Sequence, residues 1–486
     1  MTTEMKRRIL TPLALLASLL AAGAFTQAEQ PKGKPAVAER LYQETYRPQF
    51  HFTPKQNWTN DPNGLVYYQG EYHLFFQHNP SGINWGNMTW GHAVSKDLVH
   101  WEQLDHAIHP DPLGTIFSGS AVVDQENTAG FQTGQEKVIV AVFTYAGEHA
   151  APPKPFTQGI AYSNDRGRTF TKYEKNPVVG HMAASNRDPK VIWHRPTGKW
   201  VMALYLDRGK FALLGSKNLK QWERLSEVAF PDGHECPEFF ELPVDGDRNN
   251  TRWVFWEGGG RHMIGRFDGT TFRPETGVLP SEWGSNCYAG QTYNNLPESD
   301  GRRIFIAWMS GGKYPGMPFN QQMTFQRELV LRSTGEGIRL FAYPVREIER
   351  LYTKTHRWAD LALSPADNPL ASLEGELWDL DAVIEPGKAA AVEWNVRGQA
   401  IRYDVARKML SCLGKSATVE PADGRIEVRL LVDRTSIEVF ANRGRIVMSF
   451  CFLPDAANRR LGIGAQGGEA RVVSLTVREL ESAWPK

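Results

Sequence analysis

Apolar and polar residues alternate in short runs along most of the chain, and helical periodicity is nearly absent. From about residue 61 to residue 345 the runs recur in units of about 50 to 60 residues. In each unit a polar start leads into an apolar strand, and a turn and a second apolar strand follow. The starts are Asp61, Ser118, Asp188, Glu235 and Tyr288, and the second strands include Tyr72–Phe76, Trp200–Tyr205, Trp253–Trp256 and Ile304–Trp308. This repeated order predicts an all-β fold, and it favours a five-bladed β-propeller over one large irregular β-sandwich.

The pattern changes near residue 346. Residues 359–486 contain strands that alternate with a period of two, as in Arg425–Val432 and Ser436–Ala441. Such alternation is typical of an antiparallel β-sandwich. We therefore predict a five-bladed β-propeller catalytic domain over residues 46–346, a linker over 347–358 and a β-sandwich domain over 359–486.

The first residues have the three-part pattern of a secretory signal peptide. Basic residues precede an apolar run from Ile9 to Phe25, and small residues follow it. The run is short for a membrane span, and Pro12 interrupts it. We predict a signal peptide over residues 1–28, a flexible lead-in over 29–45, and a protein exported to the periplasm or the medium without stable membrane insertion after cleavage.

Composition excludes several classes of partner. The 486 residues are 41% apolar and 22% charged, as in globular proteins of two or more domains. The net charge of +1 gives no reason to expect nucleic acid. Four cysteines are too few for a disulfide scaffold, although Cys412 and Cys451 could pair. The 13 histidines show no metal-ligand spacing, so we predict neither a catalytic metal nor a cofactor.

Acidic residues begin three of the repeated units, namely Asp61, Asp188 and Glu235. The innermost strands of a propeller line a central channel, so their starts converge at one end. Carboxylates brought together repel one another, and at least one should hold its proton near neutral pH. Glycoside hydrolysis needs such a set, because one carboxyl group attacks or stabilises the sugar while another protonates the leaving oxygen. Nearby side chains suit a sugar, either as partners for hydroxyl groups (Asn60, Asn63, Gln77, Asn84, Ser118, Arg187) or as apolar faces (Trp58, Trp85, Phe117, Trp308).

Three segments resemble the motifs of glycoside hydrolase family 32, which contains invertases, inulinases, levanases and fructan β-fructosidases. The segments are Trp58–Gly64, Arg187–Pro189 and Glu235–Glu238. The resemblance covers about residues 48–486, and it includes Trp85-Gly86, Phe117–Ser120 and Leu431–Phe440. It implies a five-bladed propeller followed by a sandwich, and retaining hydrolysis of β-fructofuranosides.

The resemblance also implies a role for each acid. Asp61 would be the nucleophile, Glu235 the general acid/base and Asp188 the transition-state stabiliser. The subsite for the terminal fructose would contain Asn60, Gln77, Trp85, Phe117, Ser118, Arg187, Tyr288 and Trp308. Retaining chemistry places the two reacting carboxyl groups about 5–5.5 Å apart. Asn286 stands where many members of the family carry Asp, which leaves the choice between sucrose and fructan open.

The sequence thus predicts an exo-acting β-fructosidase that releases terminal fructose from inulin-type or levan-type fructans and from sucrose. The alternatives are an invertase acting mainly on sucrose, an endo-levanase or endo-inulinase, and a fructosyltransferase with the same carboxylates. A fourth alternative is a non-catalytic fructan-binding protein, for which we would expect Asp61 or Glu235 to be lost. The Pro- and Gly-rich segment Lys313–Gln322 is either part of the rim of the site or an ordinary surface loop.

Overall fold

The regular structure is almost entirely β in the computed structural model, which describes residues 41–365 and 368–485. Within these ranges the helical segments are short 3-10 helices: Gly147–His149, Arg195–Thr197 and Arg346–Leu351. None of the helices in these ranges is long and apolar enough to cross a membrane. The predicted signal peptide lies outside the described residues. Residues 41–45, predicted as part of a flexible lead-in, pack onto the fold, because the Tyr42 ring stacks on Trp484 at 4.3 Å.

Three antiparallel meanders form the first part of the chain. Gln69 and Gly70 both have positive φ in the turn between the first two strands, as a tight hairpin of this type requires. The first sheet contains β1 (Asn57–Tyr68), β2 (Glu71–Asn79), β3 (Thr89–Ser95) and β4 (Glu102–Gln103). The second contains β5 (Thr115–Asp124), β6 (Val138–Ala146), β7 (Thr157–Ser163) and β8 (Thr171–Lys172). The third contains β9 (Arg187–His194), β10 (Lys199–Asp207), β11 (Lys210–Ser216) and β12 (Glu223–Ala229).

A larger, nine-stranded sheet follows. Its first strands are β13 (Glu238–Val244), β14 (Asp247–Glu257), β15 (Arg261–Phe267), β16 (Phe272–Pro274) and β17 (Leu279–Pro280). Its later strands are β18 (Tyr288–Thr292), β19 (Arg303–Trp308), β21 (Arg327–Thr334) and β22 (Gly337–Pro344). The short β20 (Phe319–Asn320) instead pairs with β1 and joins the first sheet. The end of the domain is therefore tied to its beginning.

These sheets pack face to face, because most of their strands are apolar on both faces. Each sheet shares a hydrophobic core with the next one, and the nine-stranded sheet shares a core with the first. Pairs that share these cores are Phe75 with Phe143, Val140 with Met202, Phe211 with Phe255, and Phe305 with Phe76. The innermost strands contact one another in the closed order β1, β5, β9, β13, β18 and β1. This is the radial arrangement of an N-terminal β-propeller.

Two further sheets form the C-terminal β-sandwich around a separate core. One contains β23 (Tyr352–Leu363), β24 (Trp378–Glu385), β29 (Ile426–Val432), β30 (Ser436–Ala441), β31 (Ile446–Cys451) and β33 (Ala470–Leu480). The other contains β25 (Ala391–Val396), β26 (Gln399–Asp404), β27 (Met409–Cys412), β28 (Lys415–Thr418) and β32 (Leu461–Gln466). Residues 347–358, predicted as a linker, hold the end of a 3-10 helix and the first half of β23. The thiols of Cys412 and Cys451 are free.

Candidate active site

Four of the innermost strands carry a β-bulge at the same end of the channel. In each bulge, two residues of the inner strand lie opposite one residue of its partner, or one residue is left without a partner. The bulged residues are Asn60 and Asp61 in β1, Ser118 in β5, Asp188 and Pro189 in β9, and Ala289 and Gly290 in β18. A bulge re-aims side chains out of strict alternation. Three of the five predicted strand starts, Asp61, Ser118 and Asp188, thus lie in bulges, which bring polar side chains together at the channel end.

Asp61 is held by donors from two strands. Ser118 Oγ donates to Oδ2 at 2.6 Å, and Asn60 Nδ2 donates to Oδ1 at 3.1 Å. Burial raises the pKa of the Asp61 carboxyl, the two hydrogen bonds oppose the rise, and the charge of Glu235 adds to it. Ser118 and Asn60 therefore favour the ionised carboxylate in a site that would otherwise favour the neutral acid.

Asp188 is buried and has a φ of 62°, a left-handed conformation that is uncommon outside glycine. Its backbone N–H donates to Thr144 Oγ1 at 2.9 Å, and its Oδ2 accepts a bond from the Cys236 N–H at 3.2 Å. Burial raises the pKa of Asp188 to about 7; Arg187 opposes this shift, and the charges of Glu235 and Asp61 add to it. Asp188 is therefore a carboxyl group that holds its proton close to neutral pH.

Glu235 lies just before β13 and is more open to solvent than Asp188. Tyr288 Oη donates to its Oε1 at 3.0 Å, and Arg187 Nη2 donates to its Oε2. Arg187 Nε also lies 3.8 Å from Asp188 Oδ2. Arg187 thus bridges two of the three acids. From the sequence we expected this arginine to lie next to Asp188, and the structure adds its contact with Glu235.

Cys236 connects the other pair of acids. Its Sγ lies 3.7 Å from Asp61 Oδ2 and 3.4 Å from Asp188 Oδ2. Burial and the surrounding carboxylates raise the pKa of this thiol well above its ordinary value. A neutral thiol is a weak donor to both carboxylates, not a nucleophile.

Aromatic side chains lie on two sides of the acids. Trp85 is 50% exposed and contacts the Phe117 ring edge-to-face at 6.0 Å. On another side, Trp308 lies 6.2 Å from Tyr288 and 6.2 Å from Trp58, both edge-to-face. These rings are placed to contact the carbon face of a bound sugar.

Two predicted partners for hydroxyl groups have other contacts. Gln77 is buried beneath the β1 bulge, where its Nε2 lies 3.0 Å from the Asn63 amide in the orientation that satisfies both side chains. Asn84 is exposed, and its carbonyl oxygen accepts a bond from Asn79 in the loop that carries Trp85. In the described ranges no three His, Cys, Asp or Glu residues are grouped so that they could hold a metal ion.

The C-terminal sandwich supports the segment that presents Tyr288. Trp283 N donates to Val447 O at 2.9 Å, and Asn286 N donates to Ser449 O at 3.0 Å. The Asn286 side chain accepts a bond from Cys451 N at 2.8 Å. Residue 286, which we expected near the acid/base, therefore ties this segment to β31. The sandwich reaches Glu235 indirectly, through Tyr288.

Two residues at the site were missed in the sequence. Tyr205 lies opposite Arg187 in the β9–β10 ladder, and the guanidinium sits 4.9 Å from its ring centroid. Gln321 accepts a bond from Trp308 Nε1 at 2.9 Å. Pairing the two predicted strands as an antiparallel hairpin would have placed Tyr205 close to Arg187, so this contact could have been found in the sequence. Gln321 places the end of the Lys313–Gln322 segment beside the site.

We expect Asp188→Asn to stabilise the protein at pH 8. The folded carboxyl has a pKa of about 7, whereas the ordinary value is 3.8, so the folded protein binds more protons between these values. Stability then falls as the pH rises through this window, at about 1.4 kcal/mol for each pKa unit. The variant removes this penalty, and its Tm relative to the wild type should be higher by a few degrees at pH 8 than at pH 4.

Asp165→Asn is the control with the opposite sign. Partial burial raises the pKa of Asp165, but hydrogen bonds from Thr169 and Ser163 outweigh burial and lower this pKa overall. The Asp165 carboxylate therefore stabilises the fold at pH values above its ordinary pKa. This variant should lose stability at pH 8. Equal Tm differences for Asp188→Asn at both pH values would contradict the raised pKa.

Comparison with known proteins agrees with this geometry. Residues 51–344 match the N-terminal domain of glycosyl hydrolases family 32, and residues 347–479 match the C-terminal domain of the same family. A levanase from Bacillus subtilis is 40% identical over 99% of this chain and 76% of its own length. An extracellular exo-inulinase from Aspergillus ficuum is 32% identical over 91% of this chain and 96% of its own length.

Solved structures show the same architecture. The crystal structure of exo-inulinase from Aspergillus awamori superposes with a TM-score of 0.82 at 29% identity, covering 91% of this chain and all of the other. A fructofuranosidase from Schwanniomyces occidentalis, complexed with fructosylnystose, gives a TM-score of 0.81 at 27% identity over 91% of this chain and 99% of its own.

Proposed function

Because the chain belongs to glycosyl hydrolase family 32 and is a glycoside hydrolase acting on β-fructofuranosides, we propose that it is a retaining exo-β-fructosidase. Its substrates would be fructans of the inulin or levan type, and sucrose. The observation that carries the proposal is the set of three carboxyl groups joined by two shared side chains. Cys236 contacts Asp61 and Asp188, and Arg187 contacts Asp188 and Glu235.

In the first step, an ionised Asp61 oxygen attacks C2 of the terminal fructose, and the bond from C2 to the leaving oxygen breaks. Glu235, in its protonated form, gives its proton to that oxygen. Positive charge develops on the ring, and the ionised form of Asp188 stabilises it together with hydrogen bonds to the ring hydroxyls. A pKa of about 7 leaves part of the molecules with this carboxyl group ionised at neutral pH. The bonds from Ser118 and Asn60 favour the ionised form of Asp61 that this step needs.

In the second step, Glu235 acts as a base toward water. Its carboxylate takes a proton from a water molecule that attacks C2, and the bond to Asp61 breaks. The unliganded arrangement suits this role, because Arg187 and Tyr288 both donate to Glu235 and hold its carboxyl group in place.

The proposed terminal-fructose subsite lies between the two aromatic groups. Trp85 and Phe117 would lie on one side of the sugar, and Trp308 and Tyr288 on the other. The polar side chains of the subsite would bind the sugar hydroxyl groups or support the residues that bind them; they are Asn60, Gln77, Ser118 and Arg187. A subsite bounded by aromatic side chains on both sides would accept one chain end, which supports exo attack. We further propose that the nine-stranded sheet contains two blades, because β13 and β18 both belong to the closed ring of five innermost strands.

The proposed enzyme would act outside the cytoplasm. The basic and apolar pattern of residues 1–28 supports export, and the Aspergillus ficuum relative is named an extracellular enzyme.

The decisive experiment is a product time course with sucrose, inulin and levan as separate substrates. We expect free fructose as the only early product from a polymer, and the polymer consumed faster identifies the linkage. Short oligosaccharides at early times would instead mean endo cleavage, and products longer than the substrate would mean transfer. No product from any substrate would contradict the proposed activity. The Asp61→Asn protein is the control for contaminating activity.

A further inference from the structure

A second cavity, of about 650 Å³, lies at the opposite end of the propeller channel. Two of the strands that carry groups of the proposed catalytic site at one end, β5 and β9, line this cavity at their other end. In β9, for example, Arg187 is at the catalytic end, whereas Trp193 lines the far cavity. Six residues of extended strand separate the two ends by about 20 Å. The cavity has the volume of a small-molecule binding site.

The channel between the two ends is filled by buried polar side chains. Lys190 and Glu238 form an ion pair at 2.5 Å, and both are buried. Lys190 Nζ also donates to Thr292 O at 2.9 Å, and Asn294 Nδ2 donates to Ala121 O at 2.8 Å and to Val191 O. A sugar chain cannot pass through this packing, so the far cavity is separate from the catalytic site.

The cavity lining holds acidic and basic side chains in similar numbers, among them Glu126, Glu241 and Arg303, and its other groups suit a ligand rich in hydroxyl groups. Trp193 is 36% exposed, and its ring packs against Trp200 at 4.8 Å, so one aromatic side chain is held in place with part of its surface open. Arg195 and Glu298, both mostly exposed, form an ion pair at the cavity. Gln125 and Asn295 form an amide pair at 3.1 Å. An aromatic face with amides and a paired charge beside it matches the alternating apolar and hydroxyl surfaces of a sugar.

We propose that this far cavity is a second fructan-binding site, which holds one part of the polymer while another chain end is hydrolysed at the catalytic site. The proposal rests on the proposed function, because the polymer is its ligand. A polymer bound at a second site remains at a raised effective concentration near the enzyme, and sucrose is too short to benefit. The site therefore acts on the KM for polymers and has no part in the chemistry.

Trp193→Ala tests the site through kinetics. We expect the KM for the preferred polymer to rise by about 3- to 10-fold, since one aromatic contact contributes on the order of 1 kcal/mol. The kcat for the polymer and both constants for sucrose should stay within about 2-fold. Leu413→Ala, at a side chain of similar exposure on the sandwich, is the matched control and should change neither substrate. Equal effects on sucrose and polymer would overturn the proposal.

Direct binding separates this proposal from the proposed function. With turnover stopped by Asp61→Asn, binding of inulin and of levan is measured by calorimetry with and without Trp193→Ala. Polymer binding weakened by about 3- to 10-fold, with sucrose binding retained, supports the second site, whichever products the active enzyme makes. Unchanged polymer binding overturns it.

A variant that disturbs the fold less is needed, because removal of the Trp193 side chain could destabilise β9. Arg195→Gln changes an exposed side chain and breaks the pair with Glu298 without opening the core. A rise in the KM for the polymer alone, with an unchanged Tm, supports the site. An unchanged KM for the polymer in this variant, together with an equal loss for both substrates in Trp193→Ala, overturns it.

Discussion

Asp61→Asn is expected to lower kcat for both sucrose and fructans by at least about 10³-fold, because an amide cannot form the covalent fructosyl intermediate. The fold should survive. The amide has nearly the shape of the carboxyl group, and burial already opposes the negative charge of Asp61. We therefore expect an unchanged or higher Tm, and sucrose binding within about 10-fold of the wild type. The measurements are kcat, Tm and calorimetric binding on the same preparation.

Asp207→Asn is the matched control. This aspartate is about half exposed, and within the described residues its one ion pair is with Arg208. It should leave kcat unchanged. A loss of less than about 100-fold in Asp61→Asn would contradict the role of nucleophile. A large loss accompanied by a lower Tm and no sucrose binding would point to a structural role instead.

Glu235→Gln is expected to lower kcat for sucrose by about 10²- to 10⁴-fold, the usual contribution of a general acid/base. The loss should depend on the leaving group. A β-fructofuranoside whose leaving group is a good nitrophenolate needs no proton, so its first step should remain fast while hydrolysis of the intermediate stays slow. The expected observation is a burst of nitrophenolate equal to the enzyme concentration, followed by slow turnover. Azide, which needs no base, should restore turnover and give a fructosyl azide.

The same substrate distinguishes the two carboxyl groups. Asp61→Asn should show neither a burst nor rescue by azide, because no intermediate forms. Glu227→Gln, at an exposed glutamate on β12, should behave as the wild type. The absence of a burst in Glu235→Gln, with the slow rate unchanged across leaving groups, would contradict its role as the acid.

The all-β fold and its two-part organisation could be predicted from the sequence, because period-two alternation and turn residues are local signals. β2, β10 and β19 contain the predicted runs Tyr72–Phe76, Trp200–Tyr205 and Ile304–Trp308. The boundary between the parts was harder to predict. Tyr352–Leu363 contains several exposed polar residues, and its strand character depends on pairing with β33, more than 100 residues later in the chain.

The candidate acids could also be found in the sequence, since each lies in a short distinctive motif. Their contacts could not. Arg187 was expected beside its neighbour Asp188, but its hydrogen bond goes to Glu235, which becomes close only through packing of the third sheet against the nine-stranded sheet. Cysteine is a residue type that is common in protein cores, so Cys236 gives no signal in the sequence. Only the bulges of β1 and β9 bring two carboxylates to its sulfur. The far cavity is likewise a product of strand ends that are distant in sequence.

The bulges at Asp61, Ser118 and Asp188 also bear on how such a site could arise or disappear during evolution. Each is a local irregularity, and the positions directly before and after it keep their pairing, although β1 has a second irregularity between Asn63 and Val66. Removal of one codon at a bulge would restore a regular strand without moving the residues that pack the sheets, whereas the same deletion elsewhere in the strand would turn every following side chain to the other face. A propeller of this kind could therefore lose or regain a proposed catalytic group in one genetic step while remaining folded.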